Sequence, residues 1–206
     1  GRTVGKGGAL ASLAEPHFRN FWLGMLFLMC AVQMQMIAQG YLVYDLTGSP
    51  ALLGLVNSGF ALPMLILALF GGAAADRLDR KKIIQLGQAA FLLNALIIAI
   101  TVLTGAVTWY HLLAASMVMG ALFSFVMPAR QAIIPNLVKP GNLTNAIALN
   151  SAGMSATTLL APAFAGVLYA AIGPEGVYFV LAGLGLVAVL ITGLLPKTGG
   201  RPAEAN

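Results

Sequence analysis

At 206 residues, 59% hydrophobic and only 8% charged, with a mean hydropathy of +0.90, the chain excludes an ordinary soluble domain. Its net charge of +5 forms no aromatic-interleaved surface stripe, so nucleic acid is not an expected partner. The single cysteine, Cys30, rules out an intramolecular disulfide.

The apolar residues fall into six runs of membrane length, since a bilayer core of about 30 Å needs about 20 such residues per helix. Residues 1–19 are polar and basic, with Arg2, Lys6 and Arg19. A brief interfacial helix is expected at Leu10–Leu13, and Pro16 marks where the chain turns into the first span. Span 1 is placed at Asn20–Tyr44, span 2 at Ala51–Ala75 and span 3 at Ile83–Leu103. Span 4 opens at Trp109-Tyr110, an aromatic pair suited to the headgroup level. Span 5 covers Leu143–Ile172 and span 6 covers Val177–Leu195. The expected fold is all-α: a polytopic six-helix transmembrane bundle over residues 20–195. A cytoplasmic segment, 1–19, precedes it, and residues 196–206 form a cytoplasmic tail or the start of a linker, with a composition that favours disorder.

With six spans, all eleven Lys and Arg residues fall on one side of the membrane. They precede span 1, follow span 2 (Arg77, Arg80, Lys81, Lys82), close span 4 (Arg130, Lys139) or follow span 6 (Lys197, Arg201). The opposite loops hold Asp45, His111 and Glu175 and no cation. Positive loops stay inside, so both termini are expected to be cytoplasmic in a cell (inner) membrane.

Between spans 2 and 3 lies the most polar stretch of the chain. Gly72, Asp76, Arg77, Arg80 and Lys81 follow the pattern G-x-x-x-D-R-x-x-R-K. This resembles the loop joining the second and third spans of major facilitator superfamily transporters, with Asp79 where that family usually has glycine. The text from Met127 to Val138, continuing as Asn145-Ala146-Ile147-Ala148-Leu149-Asn150-Ser151, is similar to the macrolide and enterobactin-type exporter branch of the family. Asn136 stands where members often carry an acid. Ala161-Pro162-Ala163-Phe164-Ala165-Gly166 is similar to the antiporter signature G-P-x-x-G-G, with alanine at two glycine positions. The resemblance implies half of a major facilitator fold, a 3+3 inverted repeat, and efflux of a small amphipathic molecule by alternating access. It also implies that Asp76 meets a helix of the other half and holds the cytoplasmic side shut. An ordinary positive-inside anchor accounts for the cations alone, and generic small-residue packing accounts equally well for Ala161, Pro162 and Gly166.

The residues themselves add constraints. Asp76 at a helix C-terminus is disfavoured by the helix dipole by about 0.3–1 kcal/mol and needs compensation. Gly72, one turn earlier, lets two helices approach closely. Arg130 lies roughly 30 Å along the helix from Trp109, at the inner boundary, where an arginine can reach water. Gln35 and Gln39 share a helical face and, with Asn57 and Asn150, are candidates to line a cavity. The methionines Met25, Met29, Met34 and Met36 read as packing, since neither a His nor a thiolate pair joins them. No catalytic constellation, cofactor motif or metal-spaced cluster is read, so an enzyme is not expected.

One bundle supplies a single wall of an alternating-access site. The expected partners are therefore the lipid bilayer, a small-molecule substrate and a second six-helix bundle. That bundle is a second copy, another half, or the C-terminal part of a longer chain. The competing class is a membrane-embedded structural or assembly subunit that kept the bundle without transport.

Overall fold

The computed structural model of the chain describes residues 11–195. The expected basic stretch before residue 11 and the tail from residue 196 lie outside the described residues. Every regular element described is helical, with five long helices: α1 (Pro16–Thr47), α2 (Pro50–Arg77), α3 (Arg80–Leu103), α4 (Trp109–Leu137) and α5 (Leu143–Gly193). Each is long and apolar enough to cross a bilayer. A short 3-10 turn, Ala11–Ala14, stands near the place expected for an interfacial helix.

Helix ends follow local chemistry. Pro16 opens α1 four residues before the expected start, because proline needs no amide partner in a first turn. Gly48 closes α1 in the left-handed region (φ 61°), donating its N–H to the Tyr44 carbonyl. Ser49 caps α2 by accepting the Leu52 N–H at 3.3 Å, and Asp79 caps α3 by accepting the Lys81 N–H at 3.0 Å. Asp79 thus has a definite role where the family pattern has glycine.

Five helices stand where six are expected, because two helical limbs meet without a loop between them. Expected spans 5 and 6 are one element of 51 residues, which laid straight would be about 77 Å long, over twice a bilayer core. It does not run straight. Gly173 is non-helical (φ 72°, ψ 174°), a conformation open essentially to glycine only, and Pro174 restarts the helix. Trp22 Nε1 donates to the Leu149 carbonyl at 3.0 Å, while a Cβ on Gly24 would lie 2.8 Å from Thr192 Oγ1. Both ends of α5 therefore lie beside the start of α1, so the chain reverses at Gly173.

Packing divides the bundle into pairs. α2 runs beside α4, and the first limb of α5 beside α1; the second limb packs on α3, where Gln88 donates to Thr192 and Gly185 meets Phe91. Close backbone approach holds α2 to α4. A Cβ on Gly71 would stand 1.8 Å from the Ser124 carbonyl oxygen, and one on Gly120 would stand 2.0 Å from that of Phe60. Pro128 has no N–H to offer Ser124, so that carbonyl lacks its usual acceptor role within α4 and faces Gly71 instead. Ser116, Gly120 and Ser124, every fourth residue of α4, form the small-residue stripe that permits this.

Candidate functional site

The basic turn between α2 and α3 is a knot of helix ends. Arg80 donates from Nε to the Ala75 carbonyl (3.1 Å) and from Nη1 to that of Ala132 (2.8 Å), tying the end of α2 to α4. Lys81 Nζ donates to the Gly193 carbonyl at 2.9 Å and also to that of Leu195. Its charge thus sits on the C-terminal carbonyls of α5, where the helix dipole favours a cation. Replacing Lys81 with methionine is expected to loosen that end by about 1 kcal/mol. Amide hydrogen exchange of residues 190–195 should speed up severalfold, with α4 unchanged as the internal comparison.

Asp76 and Arg77 are exposed on the last turn of α2. Asp76 has no hydrogen bond or ion pair to any described residue. Its position at the unfavourable helix end agrees with the sequence reading, and nothing within the described bundle compensates it. Gly72 differs from expectation. A Cβ there meets nothing within 4 Å, and the helix approach occurs one residue earlier, at Gly71. The register of α2 turns Gly71, not Gly72, toward α4.

Arg130 is 3% exposed toward the C-terminal end of α4 and donates from Nη2 to Asn150 Oδ1 at 2.7 Å; its Nε has no partner. Asn150, expected among the cavity residues, is the acceptor for this buried guanidinium. Nearby, Glu15 accepts from the Lys139 N–H and from Asn142 Nδ2 (2.7 Å), fastening the start of α1 to the α4–α5 connection. At the other end Tyr169 OH donates to Asp45 Oδ2 at 2.8 Å, with the Tyr41 and Tyr169 rings 5.3 Å apart.

Between these ends lies a cavity of 210 Å³ that Gln35, Gln39, Asn57 and Ser116 line together with Phe60, Phe91 and Phe123. Gln39 Nε2 donates to Ser116 Oγ at 2.6 Å. A second hollow of 170 Å³ shares Met36, Phe60 and Phe123 with it and adds Met29, Met64, Met127 and Met154. Met25 and Met34 are core residues, but Met36 is 58% exposed and lines both hollows. Further hollows reach Tyr44 at one end and Gln131 at the other, sharing Asn57 and Met127 with these two. The result is a groove along the seam between the α1–α5 and α2–α4 pairs, with no charged residue in its lining. Sequence reasoning finds its glutamines and Asn57. It misses Ser116 and the aromatic residues, which look like packing until the helices are paired.

A family profile described as transmembrane secretion effector, a major facilitator family, matches residues 7–200. The chain belongs to the major facilitator superfamily. Among curated relatives it is 27% identical over 154 residues to the MFS-type transporter YfiS of Bacillus subtilis, covering 75% of this chain and 36% of that protein. It is 28% identical over 140 residues to the staphyloferrin A transporter of Staphylococcus aureus (68% and 35% covered). It is 25% identical over 169 residues to the tetracenomycin C resistance and export protein of Streptomyces glaucescens (82% and 30%). The chain spans about a third of the length of these relatives.

As a major facilitator protein it is a multi-pass membrane protein of a transporter family. In this setting the α5 segment of the antiporter-like signature is informative. Ala161 and Ala165 are buried, whereas a Cβ on Gly166 meets nothing within 4 Å. The alanines make the close contacts here, not Gly166, and Pro162 is half-buried within a continuous helix.

Proposed function

We propose that this chain forms one half of an exporter that moves a small amphipathic molecule outward by alternating access. In this reading α5 is two spans joined at Gly173, giving six spans with both termini cytoplasmic in the cell membrane. The observation that carries it is the uncharged groove along the bundle, which the described residues leave open on one side. The printed names of the staphyloferrin A and tetracenomycin C relatives support transport and export as the class of activity. A second six-helix bundle supplies the other wall, and a helix of it meets Asp76 across the cytoplasmic end. The exposed apolar side chains of α2 and α5, such as Leu65 (77%) and Leu159 (77%), face that bundle or lipid.

Native mass measurement in mild detergent, paired with export of a lipophilic amphipathic dye from proteoliposomes, tests this. Export is expected only from species that contain a second bundle. A strictly monomeric chain that moves dye would overturn the two-bundle reading, and two-bundle species that move none would overturn export. In a transporting assembly, Asp76→Asn should lower the rate roughly tenfold, a typical size for a coupling between states. Membrane insertion should be unchanged. Full activity in that variant would reduce the loop to a topological anchor.

A further inference from the structure

We infer that Gln35 anchors one uncharged polar group, a carbonyl or hydroxyl, of an otherwise apolar aromatic substrate. The inference rests on the groove being a substrate path and names the chemistry that the path selects. Gln35 is 7% exposed, lines the 210 Å³ cavity, and has no hydrogen-bond partner among the described residues. Its amide atoms are not among the sealed polar atoms of the bundle, so they open onto the cavity, where a ligand's hydrogen bond need displace only water. Its neighbour one turn on is already committed, since Gln39 is bonded to Ser116 at 2.6 Å. Asn57 is exposed at the rim. Gln35 is thus the free hydrogen-bonding group at the buried wall.

The surroundings define the rest of the ligand. Phe60 and Phe123, with ring centroids 5.7 Å apart, both line the cavity. Met36 and Met119 supply adaptable apolar surface. With no charged residue in the lining, an ionised group would be buried unpaired, which excludes it from this wall. An amide both donates and accepts, so it satisfies a carbonyl or a hydroxyl equally. The cavity and the adjoining methionine-rich hollow together reach the lower part of the range of about 300–1,000 Å³ typical of small-molecule sites.

Three probes built on one fused-ring frame test the inference: fluorenone, fluorene and fluorene-9-carboxylate. Their binding is measured on the full chain in lipid nanodiscs, with empty nanodiscs as the partition blank. Wild type should prefer fluorenone to fluorene roughly three- to tenfold, the range of one neutral hydrogen bond, and should bind the carboxylate most weakly. Gln35→Met should abolish the ketone preference while leaving fluorene affinity unchanged, which also shows that the cavity is intact. Gln35→Asn, which keeps the amide, should retain part of the preference. Wild type without ketone preference, or Gln35→Met that keeps it, would overturn the role of Gln35 and leave the groove as a binding path. Failure of fluorene and fluorenone alike to bind wild type would overturn that path as well.

Discussion

Replacing Gly71 with valine should unfold or rearrange the α2–α4 pair. A Cβ at this position lies 1.8 Å from the Ser124 carbonyl oxygen and 2.6 Å from its carbon. Both are main-chain atoms, so no rotamer change relieves the clash, and the helices must separate. Separation would also pull apart Gly120 and Phe60, whose carbonyl lies 2.0 Å from the corresponding Cβ. Overpacking ordinarily costs about 1–3 kcal/mol, and a contact against fixed backbone belongs at or beyond the upper end. Gly72→Ala is the matched comparison. Nothing lies within 4 Å there, and removing a helical glycine favours the helix by about 0.5–1 kcal/mol. Thermal unfolding in detergent should therefore move in opposite directions for two adjacent glycines. Equal midpoints would mean that the α2–α4 approach is not a stability determinant.

Asn150→Leu should destabilise the protein by about 3 kcal/mol, although it replaces a half-buried amide with a side chain better suited to lipid. The cost falls on Arg130. Its guanidinium is 3% exposed, its Nε is already without a partner, and Asn150 Oδ1 at 2.7 Å is the side-chain acceptor it has. Removing the acceptor alone leaves a buried charge uncompensated. Removing both partners, as in Arg130→Met with Asn150→Leu, should cost less than about 1 kcal/mol, because no charge remains to be satisfied. Reversible unfolding in bicelles measures both variants. A double variant no more stable than Asn150→Leu alone would show that Arg130 is not held by Asn150.

The placement of the helices was legible because lipid imposes it. Apolar length, Pro16 at the entry to the first span, and the cations flanking the apolar runs are properties of single segments that no tertiary contact reverses. Span 6 was legible as apolar length, yet it emerged as the second limb of one interrupted element. A Gly-Pro step can turn a helix without leaving a loop between two separate ones. Cap chemistry was also partly readable: Asp79 stands one residue before α3, although its departure from the family pattern drew attention to a difference rather than to a cap.

The partners of the polar groups were not legible. Gln39 and Ser116 are 77 residues apart, and Arg80 and Ala132 are 52 apart. Lys81 reads as a gating cation in its loop, yet it also caps a helix that ends 112 residues later. Spacing along one helix says which residues share a face, as for Gln35 and Gln39, but not which face another helix covers. That assignment decided that Asn150 serves Arg130 while Gln35 faces open space. It also decided that Gly71 rather than Gly72 lies against backbone, since neighbours in sequence stand about 100° apart around a helix. By itself the sequence determined how many apolar segments there are and which ends carry positive charge, because those depend on transfer from water to lipid. Only the tertiary structure decided which amides bond to another helix and which do not, because hydrogen bonds between helices depend on rotation and register.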